Sequence, residues 1–113
     1  MEETIKFSDW QKLDLRTGKI LKIEDVEGAD KLYKLSVDLG KERGKITVVA
    51  GLKPHYKKEE LKGKNCVIFT NLEHRKIKGI ESQGMILAAV NEDETKVFML
   101  QPDSEIELGS KIR

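Results

Sequence analysis

An all-β barrel with two short helices is the fold that this 113-residue sequence predicts. Three observations point to it. Apolar and polar residues alternate over several short stretches rich in Val, Ile and Leu. Glycine-containing turns separate these stretches at intervals of roughly 8–12 residues. A single helix-sized polar segment, bounded by Pro54 and Gly63, falls between the third and fourth of them.

The elements follow in order. Ser8-Asp9-Trp10-Gln11 fits a capping box, with Ser8 as N-cap and Gln11 reaching back to it. Trp10 and Leu13, three apart, would then share one face of a helix too short to stand alone. "TGKILKIEDV" reads as the first strand, with Ile20 alternating against Lys19 and Lys22. "KLYKLSVDLG" sets Leu35, Val37 and Leu39 on one face, and "GKERGK" turns into the β-branched strand "KITVVAG". That pair predicts a hairpin. Pro54 opens and Gly63 closes the short helix. "KNCVIFTN" is the fourth strand, a loop covers "HRKIKGIESQ", and "GMILAAVN" is the fifth. "KVFML" and "EIELGSKI" predict two further short strands in a C-terminal extension. A meander followed by a helix between strands 3 and 4 is the order of a five-stranded OB barrel. The pattern also admits an SH3-like barrel.

Size and composition exclude several classes. The length suits one domain, residues 1–113, with one core. No stretch approaches the ~20 apolar residues of a membrane span, and the N-terminus lacks a signal-peptide layout. A cytoplasmic protein is expected. The chain begins at Met1 and reads as a separate subunit or a stand-alone protein. The lone Cys66, in "NCVIFT", reads as a small buried hydrophobe and leaves no cysteine-based zinc site. His55 and His74 lack metal-ligand spacing, so neither a metal nor another cofactor is expected. No phosphate-loop glycine pattern and no activated nucleophile is visible. Binding, not catalysis, is the class these residues support.

Charge points to what is bound. Residues 1–40 hold 7 basic and 9 acidic groups, residues 41–80 hold 11 and 4, and residues 81–113 hold 3 and 7. The middle third therefore carries +7 in a chain of net +1, which suits a phosphate-binding surface. Asn71 to Met85 is the best candidate segment, because the loop between the last two barrel strands flanks the nucleic-acid face of an OB barrel. Arg75, Lys76 and Lys78 offer a guanidinium fork and two point charges for phosphates. Gly79 and Gly84 permit close backbone approach, and Ser82 can donate or accept. Met85 reads as core or as an apolar rest for a base, and Gly84 equally as turn former or contact. Few aromatics are free to stack on bases, which favours reading the shape and backbone of a folded RNA.

"DLRTGKI" (14–20), "ADKLYKLSVDLG" (29–40), "VVAGL" (48–52), "YKKEELKGK" (56–64) and "NLEHRKIKGIESQGMILAA" (71–89) resemble the tRNA-binding OB-fold family in order and spacing. That family includes the methionyl-tRNA synthetase C-terminal domain and free-standing β-type subunits, structure-specific tRNA-binding proteins, an animal cytokine-precursor domain, and the CsaA chaperone. The resemblance implies a non-catalytic tRNA-binding accessory protein, in first place the β subunit of a methionyl-tRNA synthetase system. It implies tRNA contacts at Asn71, Arg75, Lys76, Ser82, Gly84 and Met85, with Lys78 at a position often basic. It also implies a homodimer through the N-terminal helix and the C-terminal segment around Val97–Leu100, and a synthetase catalytic subunit as partner. The alternative is a CsaA-like export chaperone that binds unfolded polypeptides. Glu73-His74 stands where many members have Lys-Pro, which puts an acid beside the expected site.

Overall fold

Alternation of aliphatic residues is what draws out the long strands. The structure, a computed structural model, describes residues 3–113. β1 spans Leu15–Val26, β2 Ala29–Asp38, β3 Lys45–Ala50 and β4 Asn65–Phe69. β7, Met85–Ile86, completes a five-stranded antiparallel sheet in the order β3-β2-β1-β4-β7. Ile20, Leu35, Val37, Val48, Leu61, Cys66 and Ile68 point inward and are fully buried. Burial pushes the Cys66 thiol up to about 12, so it behaves as the small hydrophobe its neighbours suggest.

The sheet closes on itself. The Gln83 N–H donates to the Thr47 carbonyl (2.8 Å), and the Thr47 N–H donates to the Gln83 side-chain Oε1 (2.8 Å). The Val49 N–H donates to Ser82 Oγ (2.9 Å). This seam brings the segment before β7 against β3 and makes an OB-type barrel of the open sheet. Unpaired donors along a buried strand edge are costly, so the seam matters energetically as well as topologically.

Both helices form, but each starts elsewhere than expected. α1 is Phe7–Trp10, with Lys6 at the N-cap and no side-chain cap. The Lys6 carbonyl takes the Asp9 and Trp10 N–H groups, which places Ser8 inside the first turn, and Gln11 becomes the C-cap. The Ser8–Gln11 capping box is therefore absent. α2 is Lys58–Leu61 and lies between β3 and β4 as predicted. It opens after Lys57, whose N–H is taken by Glu60 Oε1 (2.7 Å), rather than at Pro54. Leu61, 0% exposed, packs into the core from this helix.

"GMILAAVN" is not one strand. β7 pairs with β4, and then at Leu87 the chain changes partner. β8 (Ala88–Val90) pairs with β9 (Val97–Met99) in a separate hairpin. The tail "EIELGSKI" forms no strand and makes only an Arg16–Lys111 bridge. It is tied instead through Thr17, whose N–H donates to the Ser110 carbonyl (3.0 Å) and whose hydroxyl donates to that of Glu107 (3.0 Å).

Candidate nucleic-acid interface

The segment read as a loop is a β-hairpin. β5 (Arg75–Ile77) and β6 (Ile80–Ser82) pair across a two-residue turn at Lys78-Gly79. Both turn residues have positive φ, 51° at Lys78 and 80° at Gly79. Positive φ at both positions marks a type I′ turn, whose twist matches that of the flanking strands. Glycine suits the second position, and Lys78 occupies the first at the exposed tip.

Pairing decides which side chains share a face. Arg75 lies opposite Ser82 and Ile77 opposite Ile80, whereas Lys76 lies opposite Glu81. Ser82 points into the barrel seam, so Arg75 and Ile77 share the barrel-facing side. There they line a notch of about 60 Å³ with Val49, Leu72, Glu73, Ser82, Gly84 and Met85. A notch of this size has room for a few waters and for no larger ligand. Lys76 is on the outer face beside Glu81, to which His74 Nδ1 also comes within 3.4 Å. The basic triplet therefore forms a blade with cations on both faces and one at its tip, not a single cluster.

The remaining candidates divide into two kinds. Met85 is 43% exposed beside Arg75 in the notch, which corrects the reading of it as core. Ser82 is only 6% exposed, and its hydroxyl accepts from the Val49 N–H and donates to the Gly84 carbonyl (3.2 Å). Gly84 sits tight against the barrel wall. A Cβ there would stand 3.0 Å from Ile68 Cγ2 and 3.2 Å from both Ile46 Cδ1 and the Phe69 carbonyl oxygen. Asn71 uses both ends of its amide within the chain. Its Oδ1 accepts from the Asp14 N–H (2.8 Å) and its Nδ2 donates to the Lys12 carbonyl (2.7 Å).

Asn71 belongs to a polar hub at the foot of the hairpin. The Asp14 carboxylate receives Arg16 Nε and Arg43 Nη1, each at 2.9 Å, and the Thr70 hydroxyl. Burial alone would raise its pKa. The Thr70 and Arg16 hydrogen bonds and the charges of Arg43 and Arg16 outweigh that and hold it below the usual carboxylate value. The hub joins the N-terminal segment, β1, the β2–β3 turn and the end of β4. Sequence reasoning missed Gln83 and Thr47 in the seam and Thr70 and Arg43 in the hub, since each depends on long-range pairing with no local signature.

Among the described residues, no three His, Cys, Asp or Glu side chains come together to hold a metal ion. Nor is any helix among them long and apolar enough to cross a membrane.

Comparison with known proteins meets this geometry. The family model described as a putative tRNA binding domain matches residues 15–111. Methionine–tRNA ligase of Pyrococcus horikoshii is 54% identical over 111 residues, covering 98% of this chain and 15% of that protein. The enzyme of the same name from Clostridium tetani is 44% identical over 112 residues, covering 99% and 17%. The chain thus spans about a sixth of the length of these curated relatives. Among solved structures, a MetRS-related protein of Pyrococcus horikoshii superposes with a TM-score of 0.91 at 32% identity, covering 99% of this chain and 100% of that one. The chaperone CsaA of Bacillus anthracis gives 0.89 at 30%, covering 98% and 100%.

Proposed function

Since the chain belongs to the putative tRNA binding domain family, we propose that it binds tRNA by shape and phosphate charge. It acts in the cytoplasm as a non-catalytic accessory subunit, of β type, in a methionyl-tRNA synthetase system. The observation that carries this reading is the β5–β6 blade. Its exposed Arg75, Lys76 and Lys78 stand on a strand pair that the Ser82–Val49 bond fixes to the barrel. A backbone approaching edge-on meets the tip at Lys78 and a cation on either face, while Met85 offers an apolar contact beside Arg75. In this arrangement Arg75, Lys76, Lys78 and Met85 touch RNA, and Asn71, Ser82 and Gly84 hold the blade in place. A second, weakly specific contact of this kind raises a synthetase's apparent affinity by effective concentration.

Filter binding of tRNA at several salt concentrations tests the reading. Log affinity falls linearly with log salt, and Arg75→Ala or Lys76→Ala each flattens that slope by roughly 0.7–0.9. Wild-type affinity indifferent to salt removes the proposal.

The reading includes a homodimer. Exposed Phe7, Trp10 and Ile5 near one end of the chain, and exposed Phe98, Val90 and Leu100 near the other, support it. Apolar surface of this kind commonly marks a contact with another chain. Sedimentation of the Phe7→Ser/Phe98→Ser variant as a monomer, against a dimeric wild type, is the expected outcome; identical masses contradict it. The same apolar surface favours one rival, a CsaA-like chaperone that holds unfolded polypeptides. Such binding would persist at high salt and would ignore Arg75→Ala.

A further inference from the structure

Charge on the hairpin is close to balance. From Glu73 to Ser82 it carries Arg75, Lys76 and Lys78 against Glu73 and Glu81, a net +1 while His74 is neutral. One proton on His74 makes that +2. Imidazole is the side chain whose ordinary titration falls between about pH 5 and 8, so this change lies within the physiological range.

The imidazole stands on the outer face. Lys76 lies opposite Glu81 in register, and His74 Nδ1 comes within 3.4 Å of Glu81 Oε1. Among the described residues no ion pair joins Glu81 to Lys76, so the carboxylate turns to the histidine. Both side chains are about half exposed, 50% and 57%. An exposed pair contributes little to stability. The hairpin is held instead by the Ser82–Val49 bond.

The other charged groups nearby are turned elsewhere or engaged. Glu73 and Arg75 line the notch on the barrel-facing side, and Lys78 is at the tip. β3 offers Thr47 and Val49 at the junction, neither of them charged. At the foot, Asp14, Arg16 and Arg43 bind one another, and Lys12 pairs with Asp9 (3.1 Å). Glu81 is therefore the carboxylate that His74 answers to.

That contact decides which ring nitrogen is left for a ligand. With Nδ1–H donated to Glu81, a neutral imidazole keeps a lone pair on Nε2 and cannot donate to a phosphate oxygen. A proton taken from solvent onto Nε2 supplies a second N–H donor and a full positive charge together.

We propose that His74 is a fourth phosphate contact of the blade, made by its protonated form alone, so that RNA binding takes up a proton and strengthens as pH falls through the neutral range. The proposal deepens the tRNA-binding reading and rests on it. Glu81 orients the ring and, at higher pH, offsets the charge of Lys76 on the same face.

The test is filter binding of a folded tRNA transcript at pH 6 and pH 8, each over a series of salt concentrations. An exposed ion pair gives a factor of about 1.5 to 5 in affinity, so wild type binds more tightly at pH 6 by that much. Its log–log salt slope is steeper there by up to roughly 0.7–0.9, the value of one further phosphate. His74→Ala binds at both pH values as wild type does at pH 8, with an unchanged thermal melt. His74→Lys, charged throughout, binds at pH 8 as tightly as wild type at pH 6. His55→Ala removes the chain's other histidine, between β3 and α2, and keeps the wild-type pH dependence. Wild-type affinity that depends steeply on salt but is equal at the two pH values overturns this inference and leaves the blade intact, as does a pH dependence that survives His74→Ala. Wild-type protein that binds no tRNA at either pH overturns both.

Discussion

Ser82→Ala separates a residue that holds the site from one that touches the ligand. The serine hydroxyl accepts from the Val49 N–H at 2.9 Å, in a place where Ser82 is 6% and Val49 9% exposed. Alanine removes the acceptor and puts no polar group in its place. The orphaned donor costs about 1–3 kcal/mol. Unfolding entropy near ~2.1 cal/mol/K per residue gives about 0.24 kcal/mol/K for this chain, so the melting temperature falls by about 4–13 °C. Urea unfolding followed by circular dichroism measures the first quantity, and a thermal melt the second. Binding to tRNA, measured well below the transition, weakens only as far as the blade loosens. Its salt slope stays at the wild-type value, because no phosphate contact is lost. Wild-type stability combined with a flatter slope would refute the argument, since the hydroxyl would then be a ligand group and not a strut.

Two further perturbations probe the frame of the site. Asp14 has a folded-state pKa below the ordinary value of 3.8, so its stabilising contribution is complete above that pH and fades as pH falls through the depressed value. Asp14→Asn is therefore less stable than wild type at neutral pH, and the gap narrows in urea titrations below pH 3.8. Gly84→Ala forces a methyl to within 3.2 Å of the Phe69 carbonyl oxygen and 3.0 Å of Ile68 Cγ2. Overpacking of this kind costs about 1–3 kcal/mol, read as a lower urea midpoint with an unchanged m-value; an unaltered midpoint would mean that the wall yields freely.

The barrel was legible because β2 alternates buried and half-buried residues without a break from Tyr33 to Asp38, and its partners repeat enough of that pattern to read as strands. Leu35, Val37 and Leu39 could be oriented from the sequence, and the place of α2 between β3 and β4 could be read from it. Boundaries failed where a side chain from further along set them. Glu60, not Pro54, fixes the start of α2, and backbone bonding to Lys6 overrides Ser8 in α1. The break at Leu87 was hidden because an apolar run records burial, not which neighbour it pairs with. The blade was missed for a different reason. "RKI" and "IES" around Lys78-Gly79 do carry the two-residue turn of a hairpin, but the flanking residues are too polar to announce strands. Treating them as a loop also hid the alternation that sends Arg75 and Lys76 to opposite faces.

The sequence segment that suggests RNA binding therefore mixes two populations of residues, and the structure sorts them by what their polar atoms already do. Asn71, Ser82 and Gly84 commit their hydrogen bonds or their missing side chain to the seam and the hub. Arg75, Lys76 and Lys78 make no such commitment to the barrel and stand exposed around its rim. Substitutions in the first group should lower stability and affinity together, because a blade that is not anchored incurs an ordering cost on binding. Those in the second should lower affinity alone, and in proportion to salt sensitivity. Plotting affinity loss against stability loss for all six positions would then give two separate lines. A single line through every variant would mean that the blade's cations act through the fold and not on a phosphate.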